Sequence, residues 1–136
     1  MREYQQKKMK PYLLPEAVYR QALWAVKDLP RLKAALDDAV YSEDSLPSVN
    51  FDKERVKEEQ GKYMDVTGDS AVRAAMLSMR IDSIEGAFSA IPEKYRKGIK
   101  LKLTRGIAFS DTFHINTWKK WQQIYIFYVA KNLGLY

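Results

Sequence analysis

Cysteine is absent from this 136-residue chain, which excludes disulfides, thiolate metal ligands and cysteine nucleophiles at once. Histidine occurs once, at His114. With only Asp111 as a nearby acid it lacks the companions of a metal or catalytic site, so a capping or surface role is expected. Long hydrophobic runs are missing too. The longest, Ile124 to Ala130, covers seven residues, where about 20 are needed to span a bilayer. No apolar segment follows the polar start MREYQQKKMK, as it would in a signal peptide. A soluble, cytoplasmic protein with no membrane role is therefore expected. Glycine-rich phosphate loops, paired-histidine zinc motifs and nucleophile elbows do not occur, so neither an enzyme nor a cofactor nor a metal site is expected.

Acidic residues also become scarce along the chain. Residues 1–50 carry eight Lys/Arg against seven Asp/Glu, residues 51–92 six against eight, and residues 93–136 nine against two. The last third thus holds +7, while the whole chain nets +6. A basic excess confined to one segment points to a local anionic partner, most commonly nucleic acid, with a solvated basic face as the plain alternative.

What the chain does contain is helical periodicity broken by proline and glycine. Residues 1–11 are polar and basic and, with the extended Pro11–Leu14, read as a short, poorly ordered arm. Pro15 and Glu16 suit the first turn of a helix running to about Leu29. Its apolar stripe is Val18, Ala22, Ala25, Val26 and Leu29, widened by Tyr19, Leu23 and Trp24. Pro30 predicts a kink or restart. Leu32, Ala35, Leu36, Ala39 and Val40 then carry helix to about Tyr41. Turn-forming residues fill 42–50, and 51–64 is mostly charged and contains Gly61. Residues 42–69 therefore read as a linker, partly disordered or weakly helical.

Helix is expected to resume at Ser70, capped by Asp69 or Ser70. One row, Val72, Ala75, Met76 and Met79, and a second, Leu77, Ile81, Ile84 and Phe88, are both expected in the core. Pro92 starts a basic amphipathic helix to about Leu103, with Tyr95, Ile99 and Leu103 on one side. Residues 104–115 connect it to the last helix, with Phe109 and Phe113 folding back onto the core. The expected fold is all-α: an amino-terminal arm and helical unit (1–41), a mobile linker (42–69) and a carboxy-terminal helix-turn-helix-like unit (70–136).

The last helix is asymmetric. Its first turns hold Thr117, Lys119, Lys120, Gln122 and Gln123, whereas Ile124–Ala130 is apolar on nearly every side, which predicts an exposed tip and a buried root. Asn116 suits the cap, and Gly134 suits a left-handed stop after Leu133. In a helix-turn-helix the last helix enters the major groove by its first residues while the preceding helix crosses the backbone. Asn116, Lys119, Lys120 and Gln123, at i, i+3, i+4 and i+7, are suited to base edges, with Thr117 beside them. Arg96, Lys97, Lys100, Lys102 and Arg105 would neutralise phosphates. Trp118, Trp121, Tyr125 and Tyr128 are expected as core anchors on the opposite side.

Three stretches, YLLPEAVYRQALWAVKDLPRLK (12–33), SIEGAFSAIPEKYRKGI (83–99) and NTWKKWQQIYIFYVAKNLGL (116–135), resemble the ArpU/RinA-like transcriptional regulators of Gram-positive phages and prophages. In that family the carboxy-terminal part is similar to the helix-turn-helix of sigma factor region four. On that resemblance Ile91-Pro92-Glu93-Lys94-Tyr95-Arg96 corresponds to the start of a scaffold helix, and Thr117–Lys120 to the opening of the recognition helix. It implies a double-stranded DNA-binding regulator of phage late genes. The alternative is a helical interaction module, with RNA polymerase or a second copy of the chain, as a homodimer, for its partner.

Overall fold

A computed structural model of the protein describes the backbone of residues 5–45 and 60–136, and the side chains of residues 5–40 and 68–136. The described residues are helical and contain no strand, as an all-α fold requires. The α-helices are α1 (Glu16–Lys27), α2 (Leu29–Ser45), α3 (Gln60–Gly86), α4 (Glu93–Arg105) and α5 (Ile115–Asn132). Short 3-10 turns lie at Lys10–Tyr12 and Ala87–Ala90.

Proline sets the starts. Pro15 and Pro92 both precede a helix with nearly the same backbone angles, φ −52° and −59° with ψ 143°. Each leaves a missing N–H where no intrahelical partner exists. Pro30 lies in the first turn of α2, so the chain restarts after Asp28 and does not run on as one bent helix. Glycine sets two stops. Gly106 and Gly134 adopt φ of 69° and 73°, the left-handed region that costs glycine little. After α5, Gly134 N–H donates to Lys131 C=O (3.1 Å) and Leu135 N–H to Ala130 C=O (2.9 Å), which satisfies the last carbonyls.

Two expectations about helix extent change. Helix α3 begins at Gln60, ten residues before Ser70, and α2 continues past Tyr41 to Ser45. Elongating a formed helix is far cheaper than nucleating one, so Gly61 and Gly68 are carried inside α3. Of the expected linker, residues 46–59 lie outside the described residues.

The chain divides into two compact units that do not follow chain order. One joins the residues up to Pro30 with Asp82–Tyr136; the other is Arg31–Ile81. In the first unit α5 is central: α1, α4, the 87–90 turn and the 10–12 turn all pack on it. From α1, which packs on both α5 and α4, Tyr19, Ala22, Leu23, Ala25 and Val26 are buried in this core. From α4 comes the side bearing Tyr95, Ile99 and Leu103. Complete burial of Leu23, Val26, Ile99 and Leu103 contributes about 1.5–3 kcal/mol each. Trp24, expected to widen the α1 stripe, is instead 64% exposed, with Lys27 Nζ 5.0 Å from its ring centre.

The second unit is Arg31–Ile81. Leu32, Ala39 and Ile81 are buried there, but Val72, Met76 and Met79 are 60–69% exposed. That row was expected in the core. Helical spacing identifies an apolar face without identifying anything to cover it, and here it faces solvent.

Candidate nucleic-acid interface

Helix α5 has the polar tip and buried root that its composition demands. Ile124, Tyr125, Ile126, Val129 and Ala130 are at most 4% exposed, whereas Asn116, Lys119 and Lys120 are exposed and Thr117 is half-buried. Tyr125 stacks on Phe88 (4.1 Å between ring centres) and donates its hydroxyl to Ile84 C=O (3.0 Å), a carbonyl in the last turn of α3. Burial, with the Glu85 charge adding to it, holds the Tyr125 phenol well above its ordinary pKa. From the far end of α5, Asn132 Nδ2 donates to Ser83 C=O (3.0 Å).

The cap of α5 is His114, whose Nδ1 accepts the Asn116 backbone N–H at 3.1 Å. Asn116 lies inside the first turn, so its expected capping role passes to the histidine and its own amide is left on the exposed tip. The capping role expected for His114 is the one it fills.

An aromatic cluster sets the direction of the tip. Trp118, 3% exposed, stacks flat on Phe109 (4.8 Å, 5°) and meets Tyr95 and Phe113 edge-on. Its indole Nε1 donates to Ser110 C=O at 3.2 Å. The connection thus folds back as expected of Phe109 and Phe113. On α4 the facing residue is Gly98: a Cβ there would lie 2.6 Å from the Trp118 ring, so glycine is what permits this approach. Cations border the cluster. Lys94 sits over Tyr95 and Phe113, Lys102 over Phe109 and Lys120 over Trp121, at 4.7–5.4 Å from the ring centres. Trp121 is half-buried and Tyr128 36% exposed, so the expected anchoring falls mainly to Trp118 and Tyr125.

Gln123 does not belong to the exposed face. It is 3% exposed and its amide is turned onto the amino-terminal arm. Its Oε1 accepts Gln6 N–H (2.7 Å), and its Nε2 donates to Gln6 C=O (3.3 Å) and Tyr12 C=O (3.4 Å). The side chain thereby pairs with the arm much as a peptide group of a neighbouring strand would. Gln5 does the same for Leu14, accepting its N–H at 2.8 Å and donating to its C=O at 2.9 Å. From Gln5 onward the arm is therefore docked, where poor order was expected. The face shared by Asn116, Lys119 and Lys120 ends where the arm begins.

The basic residues of α4 are likewise not one face. Arg96 Nε donates to Ile91 C=O (3.0 Å), just before its own helix, and Lys100 pairs with Glu85 (3.4 Å) at the end of α3, so both are engaged within the fold. Lys97 and Arg105 are exposed, and Lys102 is half-buried beside Phe109. Helix α4 and α5 are joined by residues 106–114 without an intervening helix. A helix-turn-helix uses about three or four residues at that point. The expected order of helices is present, but the tight turn is not. The side chains brought together at one end of α5 are Asn116, Lys119 and Lys120, bordered by Lys94 and Lys102.

Among the described residues no group of three or more His, Asp or Glu side chains could hold a metal ion, and no helix is long and apolar enough to cross a membrane. No known protein family, no curated protein and no solved structure matches the chain.

Proposed function

We propose that this protein binds double-stranded DNA through the exposed start of α5 and acts as a transcriptional regulator. The observation that carries the reading is the charge of that tip. Asn116, Lys119 and Lys120 project from a helix N-terminus, itself a partial positive charge, and residues 112–136 contain no Asp or Glu. Lysines held on a rigid helix neutralise phosphates and release condensed counterions. Lys97, Lys102 and Arg105 of α4 extend the contact along the backbone. Without a tight turn before α5, these contacts supply affinity that is largely indifferent to sequence, with base reading left to Asn116. The regulatory part, and the setting in phage or prophage late-gene expression, rest on the resemblance to ArpU/RinA-like proteins.

The test is titration of the full chain into random-sequence duplex DNA at several salt concentrations, repeated with Lys119→Glu/Lys120→Glu. Both lysines are exposed, so circular dichroism should be unchanged. Steeply salt-dependent binding that collapses in the folded variant is the expected result. No binding by the intact protein at low salt sinks the reading.

A second reading, a helical interaction module for RNA polymerase or a second copy of the chain, is favoured by one observation: the exposed row Val72, Met76 and Met79. On that reading Lys119→Glu/Lys120→Glu is silent, while Met76→Glu weakens association with the protein partner.

A further inference from the structure

The arm carries its own lysines to the place where α5 turns polar. Lys7, Lys8 and Lys10 are exposed. They follow directly on Gln6, which the Gln123 amide holds at 2.7 Å. Gln123 is one helical turn beyond Lys119 and Lys120, a rise of about 5.4 Å. The base of the arm is fixed as well: Tyr12 packs edge-on against Phe127 at 5.4 Å between ring centres, and Leu14 is buried. We infer that residues 5–12 form the second half of the DNA-binding surface, their lysines meeting phosphates of the same duplex that α5 contacts, with Gln123 as the positioning residue.

Charge supports this beyond mere proximity. Residues 5–15 and 112–136, the two segments that Gln123 joins, contain six lysines and no Asp or Glu. Lys7 shares a cleft of about 510 Å³ with Glu16 and Arg20, but Glu16 is already paired with Arg20 at 2.7 Å. A fold that latches one lysine-bearing segment beside another accepts self-repulsion, which a polyanion laid across both segments relieves. The arm also explains why the helix tip alone is small: Gln123, whose position on α5 would enlarge it, is committed to holding the arm.

The inference rests on the DNA-binding reading and is separable from it. Each phosphate neutralised adds about 0.9 to the slope of log affinity against log salt. Titrations into random-sequence duplex from about 50 to 200 mM salt compare the intact chain with Lys7→Ala/Lys8→Ala/Lys10→Ala. Two further variants are Lys119→Ala/Lys120→Ala and Gln123→Ala, with circular dichroism on each. The arm variant is expected to lose about 2–3 from the slope, and the helix-tip variant about 2. Gln123→Ala removes no charge, yet should flatten the slope in the same direction because the arm is no longer held. An arm variant with the intact slope, beside a weakened helix-tip variant, overturns the inference and leaves DNA binding standing. A flattened slope in the arm variant but not in a folded Gln123→Ala overturns the positioning role. Failure of the intact chain to bind overturns both readings together.

Discussion

In Gly98→Ala the added methyl group would lie 2.6 and 2.7 Å from Cη2 and Cζ3 of the Trp118 ring. Carbon contacts are comfortable from about 3.5 Å, so ring or helix must give way by roughly 0.9 Å. The ring has little room to move. Phe109 lies flat against it, Tyr95 and Phe113 abut it, and its Nε1–H is held by Ser110 C=O. Overpacking of this kind costs about 1–3 kcal/mol. Displacing the indole adds the loss of a hydrogen bond, about 1 kcal/mol, and of part of the stacking, about 0.5–1.5 kcal/mol. Against this, alanine improves the interior of α4 by about 0.5–1 kcal/mol. The predicted net effect is a destabilisation of about 1.5–5 kcal/mol, read from the urea midpoint at unchanged slope. Trp118→Phe removes the overlapping atoms. In that background Gly98→Ala keeps only its helix-forming advantage and should stabilise by about 0.5–1 kcal/mol, reversing its sign. A neutral or stabilising Gly98→Ala in the otherwise intact chain would refute the close packing of α4 on the indole.

Tyr125→Phe removes the hydroxyl's hydrogen bond to Ile84 C=O and should cost about 0.5–1.5 kcal/mol in the same assay. Because the folded protein raises the Tyr125 pKa, the stability it confers is complete below a phenol's ordinary pKa of 10.0 and falls as pH rises above it. The intact chain should lose up to about 1.4 kcal/mol per pH unit there, relative to Tyr125→Phe. Parallel slopes for the two proteins between pH 9 and 11 would dispose of that linkage. His114→Ala removes the α5 cap and should lower stability by about 0.5–2 kcal/mol. His114→Asp should restore it, as a good cap beside the positive helix end, while weakening duplex binding by adding a carboxylate to the tip. If His114→Asp binds DNA as tightly as the intact chain, the tip is not the contact.

The helices were largely legible because their signals are local. Pro15, Pro30, Pro92 and Gly134 act within a turn of themselves, and each starts or stops a helix where expected. The polar-then-apolar order of α5 likewise foretold its exposed tip. What the pattern lacked was the identity of the covering element. Met76 and Met79 repeat as a core row should and face water; Trp24 extends a buried stripe and does not share its burial. Gln123 is the clearest case. Its spacing from Asn116, Lys119 and Lys120 places it on their face, and only the docking of a segment 117 residues away in sequence turns it inward. The signal that was present, two glutamines near apolar helix and arm residues, is too common to single out a peptide-like pairing. The bend from Ala87 to Ala90 and the role of Gly98 were equally hidden, since both are set by partners across the core.

The discontinuity of the first unit has a bearing on how the protein is made. Helix α1 packs on α5, yet about ninety residues separate them in sequence. During synthesis at about 5–20 residues per second, Tyr19, Ala22, Leu23 and Val26 leave the ribosome several seconds before α5 exists. In that interval an apolar helix face stands open, and only after residues 115–132 have emerged does it gain its permanent cover. Arg31–Ile81 emerges within this wait. Closing α1 onto α5 therefore carries the loop-closure cost of a segment of about ninety residues, which slows the step.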